Sequence, residues 1–314
     1  MHQKFSIMMA IWTVLFCTAS MAVTTNSTAR EDSAILLKLV SGKAVQGGML
    51  VFQTKAGTKI ILDGLELPVS ADGLFVLGFH RDDVTPQELR AIDASGKTAK
   101  LTLTPEMRDW EIQRIDNLPT NMVTPPEAVI TRIKKDIKNV KAARAVISDF
   151  DDVLKNALVW PGWGRISGIY GAQRILNGKP RQPHYGIDIA APSGVAVRAA
   201  GAGRVTMAMD LYFTGGTVII DHGFGLNSTY SHLKDMYVRP GDRVTRGGVI
   251  GSVGSTGRST GPHLDWRINW RHKRLDPLLM SKAMSAEGAT ARRCAAAALQ
   301  TALNTNTIRH KHGQ

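Results

Sequence analysis

The 314-residue sequence predicts a mainly β protein that has one long helical segment near its middle. Three observations predict this class. Short apolar runs alternate with polar residues in residues 34–118 and 160–280, 30 Gly and 13 Pro residues mark frequent turns, and helical spacing of apolar residues appears only between these regions. The composition is ordinary for a globular protein, which excludes a coiled coil, a collagen-like repeat and wholesale disorder.

Residues 1–22 have the pattern of a secretory signal. A short basic start precedes an apolar run from Phe5 to Val14, and Ser20-Met21-Ala22 fits the small-x-small rule for cleavage. The alternative is an uncleaved N-terminal anchor. No later stretch approaches the roughly 18 apolar residues of a membrane span. We therefore expect an exported protein, periplasmic or associated with the cell envelope, with no transmembrane span after cleavage.

The mature chain divides into four segments. Residues 23–118 are predicted to form a small β-sandwich with strands at 34–39, 49–53, 58–62, 74–79 and 100–104. Residues 119–157 form a linker whose amphipathic helix opens at Pro125 and Pro126. Residues 158–280 form a second all-β domain, and residues 281–314 form a low-complexity basic tail. The predicted apolar stripe of the helix consists of Ile130, Ile133, Ile137, Val140, Ile147, Phe150 and Leu154.

Three histidine motifs in the second β domain indicate metal chemistry: His184-Tyr-Gly-Ile-Asp188, Tyr230-Ser-His232 and His263-Leu-Asp265. Side chains two positions apart on a strand point the same way, so His263 and Asp265 would face one cleft. The Asp188 carboxylate would face away from its apolar neighbours. Imidazole and carboxylate groups that converge from separate strands are what a catalytic zinc site needs.

The order and context of these motifs resemble the lysostaphin/LytM-type zinc endopeptidases of peptidoglycan. The segments Pro183-His-Tyr-Gly-Ile-Asp-Ile-Ala, Gly257-Arg-Ser-Thr-Gly-Pro-His-Leu and Leu275-Asp276-Pro277 also look like landmarks of that family. The resemblance covers roughly residues 158–280. It implies a lysostaphin-like antiparallel β catalytic domain, and the preceding β-sandwich and helix resemble the N-terminal extension of proteobacterial members.

The resemblance also implies a role for each site residue. His184 and Asp188 match the first two zinc ligands, and His232 and His263 match the catalytic histidines. Asp265 stands where the family has a histidine as its third ligand. Two carboxylates and one imidazole around Zn²⁺ would make a formally neutral site, so we expect a slow enzyme whose activity rises towards alkaline pH. His222 and His272 match no catalytic position; we expect the first to be structural and the second to lie on the surface.

The implied function is zinc-dependent hydrolysis of peptide bonds in peptidoglycan stems or cross-links. The net charge of +13 would attract anionic envelope polymers, and no nucleic-acid motif accompanies it. The alternative is a catalytically impaired family member that binds the wall and activates another cell-wall hydrolase.

Overall fold

A computed structural model describes residues 36–117 and 125–280. The predicted signal at 1–22 and the basic tail at 281–314 lie outside these residues. The described part is mainly β, which confirms the predicted fold class. Within it, no helix has the length and hydropathy needed to cross a membrane.

Two antiparallel sheets form the first β region. They are built from β1 Lys38–Gly42, β2 Met49–Gln53, β3 Lys59–Leu62, β4 Leu65–Leu67, β5 Leu74–Gly78, β6 Gln87–Ile92 and β7 Thr98–Leu103. One sheet has the order β1-β2-β5 and the other the order β4-β3-β6-β7. Their apolar faces are buried, and the Phe52 and Phe75 rings stack with centroids 5.4 Å apart.

Strand β6 is absent from the sequence prediction. Its sequence QELRAI contains residues of low β-propensity, so it does not look like a strand. The alternation is nevertheless present, because Gln87, Leu89 and Ala91 are buried while the residues between them are more exposed. Partners on both sides, β3 and β7, hold this strand in place.

The central helix is shorter than its apolar stripe predicts. A single 3₁₀ turn at Glu127–Val129 leads into helix α1, which spans Ile130–Ala145, and a separate turn of helix, α2, spans Asp152–Lys155. Val146 has an extended backbone, with ψ of 129°. The chain therefore leaves α1 as an extended segment, and Ile147, Phe150 and Leu154 do not continue the helix.

The second β region consists of one large sheet and a small one. Its strands are β8 Ile112–Ile115, β9 Arg165–Gly168, β10 Gln173–Leu176, β11 Lys179–Pro180, β12 Ile187–Ala190, β13 Ala196–Arg198, β14 Gly203–Leu211, β15 Gly215–Gly223, β16 Leu226–Met236, β17 Arg243–Val244, β18 Val249–Val253, β19 His263–Trp270 and β20 Lys273–Leu275, followed by helix α3, Pro277–Met280. The large sheet has the main order β17-β14-β15-β16-β19-β12-β9. In β19, Leu264, Trp266, Ile268 and Trp270 are buried, so the alternate residues are left for the opposite face.

Polar contacts join the first β region to the second. Arg108 forms an ion pair of 2.9 Å with Asp276, and Lys273 forms one of 2.8 Å with Asp83. Arg81 Nε donates to the carbonyl of Gly171 at 2.7 Å, and the Gly171 N–H donates to the carbonyl of His184 at 2.8 Å. The first region therefore supports the loop that carries His184.

His222 lies inside β15 and is fully buried. Its Nδ1–H donates to the carbonyl of Ala202 at 2.8 Å, and its Nε2 is hydrogen-bonded to the Ser228 hydroxyl at 2.7 Å. The Ser228 hydroxyl donates in turn to the Tyr230 hydroxyl at 3.0 Å. Both ring nitrogens therefore have a partner, and burial holds the pKa of His222 below its ordinary value.

We predict that this histidine lowers stability in acid. Below pH about 6.5 the unfolded chain takes up a proton that the folded His222 resists, so the unfolding free energy falls as pH falls. Replacement by glutamine, His222→Gln, should reduce the pH slope of the unfolding free energy by up to about 1.4 kcal/mol per pH unit. Urea unfolding at several pH values between 5 and 8 measures this slope. The exposed His272→Gln variant is the control, and equal slopes for both variants and the wild type would contradict the prediction.

Candidate metal centre

The centre of the site is a pair of carboxylates on adjacent strands. Asp188 of β12 pairs directly with Asp265 of β19, and Ser231 of β16 lies opposite Asp265 on its other side. Directly opposed residues in an antiparallel sheet point to the same face. The register therefore places the two carboxylates side by side, with Asp188 half-buried and Asp265 buried.

His184 completes a group of three converging donors. It lies in the extended segment before β12, and one donor atom each from His184, Asp188 and Asp265 lie within 4.8 Å of one another. His184 Nε2 is 3.1 Å from Asp188 Oδ1. Both atoms are buried and form no hydrogen bond with any described residue. Because two acceptor atoms this close need a proton or a cation between them, these residues fit a bound metal ion.

Each carboxylate also has an arginine partner. Arg174 Nη2 donates to Asp188 Oδ2 at 2.8 Å, which leaves Oδ1 available. Arg267 Nε donates to Asp265 Oδ1 and Oδ2 at 2.9 and 3.1 Å, and its Nη2 also contacts Oδ2. A carboxylate has about four lone-pair sites, so the guanidinium fork leaves Asp265 able to bind a metal as well.

Neighbouring cationic and hydrogen-bonding side chains keep the two acids ionised. Burial alone would raise the pKa of Asp265, but the charge and hydrogen bonds of Arg267 outweigh burial and hold it well below its usual range. Burial likewise opposes ionisation of Asp188, and the nearness of His184 and the charge of Arg174 outweigh it, so this pKa is also lowered. Both carboxylates are therefore ionised at neutral pH.

Two glycines make room for this arrangement. A Cβ on Gly168 would lie 2.3 Å from Asp188 Oδ2. A Cβ on Gly186 would lie 2.5 Å from Arg267 Cγ and 2.9 Å from Asp265 Oδ1. No side chain fits at either distance, so both positions must be glycine if the carboxylates and Arg267 are to keep these places.

His232 and His263 form the opposite side of the site. Their ring centroids are 4.6 Å apart, and His263 Nε2 is 3.9 Å from Asp188 Oδ1. His232 Nδ1–H donates to the carbonyl of Thr256 at 2.7 Å, and His263 Nδ1–H donates to that of Gly261 at 2.8 Å. In the neutral form of each ring the proton is therefore on Nδ1, and burial holds the pKa of His232 below its ordinary value.

The orientation of His232 depends on a local irregularity in β16. Regular alternation would place it on the same face as Tyr230, in the core. The strand is irregular in its pairing with β15, between Gly216 and Val218, and His232 has a φ of +64°, in the left-handed region. The His232 N–H donates to the carbonyl of Thr214 at 2.8 Å, which holds this conformation. Strained backbone of this kind turns the side chain towards the site.

The site lies in a groove of about 1200 Å³. One wall is helix α1, which contributes Ile133, Ile137, Val140 and Arg144, and the other includes Ile115 of β8 and Arg174 of β10. Ile137 is 63% exposed even though it belongs to the apolar stripe of the helix. The helical stripe that the sequence indicates therefore lines the groove as well as packing on the sheet.

All five residues that the sequence singles out come together, namely His184, Asp188, His232, His263 and Asp265. Their division into ligands and catalytic histidines stays a prediction. Sequence reasoning missed Arg174 and Arg267. Arg267 lies two positions after Asp265 on a strand, so the alternation rule could have placed it on the same face. Arg174 comes from β10, and no local pattern connects it with Asp188.

These arginines change the charge count made from the sequence. The sequence-based count of charges at the metal site included only the three proposed ligands. From that count we expected a slow enzyme whose activity rises towards alkaline pH. Arg174 and Arg267 add two positive charges beside the two carboxylates. The Asp265–Arg267 pair is neutral overall, as the histidine of the family would be. The structure therefore removes the electrostatic reason for the alkaline shift.

Comparison with known proteins agrees with this geometry. Residues 182–277 match the model of Peptidase family M23. This part of the chain is therefore similar to an M23 peptidase domain. A Pseudomonas aeruginosa protein assigned to peptidase M23 shares the fold over 77% of this chain and 96% of its own, with a TM-score of 0.59 and 27% identity. The matched residues 182–277 include all five site residues.

Curated relatives match the chain over a shorter stretch. The peptidoglycan DD-endopeptidase ShyA of Vibrio cholerae is 39% identical over 105 residues, which are 33% of this chain and 24% of ShyA. The DD-carboxypeptidase/endopeptidase Mpg of Neisseria meningitidis is 48% identical over 88 residues, which are 27% of this chain and 20% of Mpg. The chain thus spans about a quarter or less of the length of these relatives.

The Asp265–Arg267 pair yields a prediction with two opposite effects. Replacement of the guanidinium, Arg267→Met, leaves a buried carboxylate without its partner, so the metal-free protein should lose roughly 3–5 kcal/mol of unfolding free energy. The same change removes a positive charge beside the metal site, so zinc should bind more tightly. Chemical unfolding in EDTA and zinc titration measure the two effects. The exposed Arg165→Met variant of β9 is the control, and loss of both stability and zinc affinity in Arg267→Met would contradict this account.

Proposed function

We propose that the protein is an exported zinc endopeptidase that hydrolyses peptide bonds in the stems or cross-links of peptidoglycan. The observation that carries the proposal is the meeting of His184, Asp188 and Asp265 opposite two histidines whose neutral rings carry the proton on Nδ1. The location of these residues in a groove of about 1200 Å³ supports it. Relatives named as peptidoglycan DD-endopeptidases, and the family assignment of residues 182–277, support the substrate class.

His184, Asp188 and Asp265 would hold the zinc ion. When bound there, zinc supplies Lewis acidity, which polarises a carbonyl and makes water a competent nucleophile at neutral pH. His232 is placed to take the proton from that water, because its Nδ1–H is held by Thr256 and its depressed pKa keeps Nε2 unprotonated. Once protonated, Nε2–H becomes a donor to the departing amine.

His263 is the second member of the histidine pair. Its Nδ1–H donates to the Gly261 carbonyl, so its Nε2 also faces the site. When its Nε2 carries a proton, that N–H would stabilise the negative oxygen that develops on the attacked carbonyl. Thr256 and Gly261 would thus act as positioning residues, because their carbonyls hold the Nδ1–H tautomers of His232 and His263.

A second candidate function rests on the arginine pairs. Because Arg174 and Arg267 neutralise Asp188 and Asp265, the site is electrostatically tolerable without any metal. This favours, as the alternative, a non-catalytic protein that binds the wall through its basic surface and activates another hydrolase.

Zinc content and wall hydrolysis distinguish the two functions. For the proposed enzyme, the purified protein should contain about one equivalent of zinc and release cross-linked peptides from purified sacculi, with EDTA abolishing release. Protein that stays zinc-free in zinc-replete buffer, is inert on sacculi and stimulates a separate amidase would support the regulator and overturn the enzyme.

Two alanine variants test the division of roles. His232→Ala should keep its zinc and lose hydrolysis by about 10²–10⁴-fold, the usual contribution of a general acid–base group. His184→Ala should lose zinc, and activity with it. Zinc analysis of both proteins, beside the rate of peptide release, provides the measurement. Loss of zinc from His232→Ala would make that residue a ligand and refute the assignment.

A further inference from the structure

The sheet continues beyond the metal centre as ordered rows of side chains, of which Thr229, Arg267 and Arg274 line the groove. Strands β16 and β19 pair Ser231 with Asp265, Thr229 with Arg267, and Asn227 with Asn269. Arg274 of β20 lies opposite Asn269. Successive rows are two residues apart on each strand, about 7 Å. A path therefore leads from the carboxylate pair past Arg267 to Arg274.

Helix α1 adds a third arginine above this path. Arg144 Nη2 donates to Thr229 Oγ1 at 3.2 Å, which places its guanidinium over the row that contains Arg267. Arg144 Nε is buried and has no hydrogen-bond partner among the described residues. Ile137 and Val140, on the same helix, line the groove beside it.

Arg144 and Arg274 form no ion pair within the described part of the chain; the charge of Asp265 acts on both, but that carboxylate is already paired with Arg267. Their described side-chain hydrogen bonds go to neutral oxygens, at Thr229 for Arg144 and at Asn269 for Arg274. Burial and the charge of Arg267 lower the pKa of Arg274 to about 10, and burial with the charges of Arg274 and Arg267 holds that of Arg144 well below its usual range. Crowded, desolvated cations of this kind are unfavourable unless an anion joins them.

We propose that Arg144 and Arg274 form a subsite that binds a free carboxylate of the peptide substrate, beyond the scissile bond. This inference rests on the proposed function, because it names a feature of the peptide that the same groove accepts. The row spacing places the carboxylate about two to four residues from the bond, for a peptide that rises about 3.4 Å per residue. Arginine suits this task because its fork matches a carboxylate, and the apolar wall of α1 would hold the aliphatic part of the same residue.

Binding to the metal-free protein tests the subsite without relying on hydrolysis. The probe is the synthetic peptide Ala-Glu-Lys-Ala-Ala, titrated calorimetrically in EDTA. Two further peptides, one with glutamine for glutamate and one with a carboxamide at the C terminus, distinguish the side-chain carboxylate from the terminal one. We expect one of the two amide-containing peptides to bind at least about tenfold more weakly than Ala-Glu-Lys-Ala-Ala, whose carboxylates are free. The loss of a charge-assisted hydrogen bond predicts a difference of this size.

The variants Arg144→Gln and Arg274→Gln should each reduce that tenfold preference to about twofold or less. Lys138→Gln is the matched control, since Lys138 is exposed on the same helix and does not line the groove. Thermal unfolding of each variant checks that it is folded. The Arg144→Lys variant tests whether a side chain that keeps the positive charge also keeps the preference for the free acid.

Equal binding of all three peptides, or a preference that survives in both glutamine variants, would overturn the subsite. Failure of the proposed function has a different signature: the acid preference and its loss in the variants would persist, while zinc-loaded protein left sacculi intact.

Discussion

Two negatively charged side chains, Asp188 and Asp265, lie side by side on adjacent strands, and the site is organised around keeping them together. Neither burial nor the neighbouring charge favours this, because each carboxylate is desolvated and repels the other. Arg174 and Arg267 supply compensating charge from one side. His184 Nε2 and Asp188 Oδ1 are left without a hydrogen-bond partner on the other side, where a divalent cation would bind both. The arginines thus balance the charge of the carboxylates, and a metal ion would satisfy the atoms that they leave unpaired.

The sheet register also places further polar side chains in rows beside the carboxylate pair, along the groove. Because β12, β19 and β16 run in register, the carboxylate row is followed by rows of hydrogen-bonding and cationic side chains along the same floor. Helix α1 adds an apolar wall whose members are exposed to the groove. The first β region contributes at a distance, because Arg81 holds the Gly171 carbonyl and Gly171 holds the backbone of His184. Its ion pairs therefore help to set the position of a proposed ligand.

Strand alternation was enough to predict part of this site from the sequence. It places His263 with Asp265 and turns Asp188 away from Ile187 and Ile189, and the structure has these orientations. The clustering of histidines singled out His184 and His232, and the resemblance to a known family supplied their roles. Alternation alone would have placed His232 in the core, since its direction depends on an irregular pairing with β15 and a positive φ. The partners of the acids and the end of helix α1 at Ala145 depend on tertiary contacts, which no local pattern contains.

The position of zinc in the folded protein tests the central claim most directly. Crystals grown with zinc and measured on both sides of the zinc absorption edge would locate the ion without any assumption about activity. The account predicts one anomalous peak between His184, Asp188 and Asp265, with Arg267 still bound to Asp265. A zinc-replete crystal with no peak among these three residues, while Arg174 and Arg267 remain paired with the carboxylates, would contradict it.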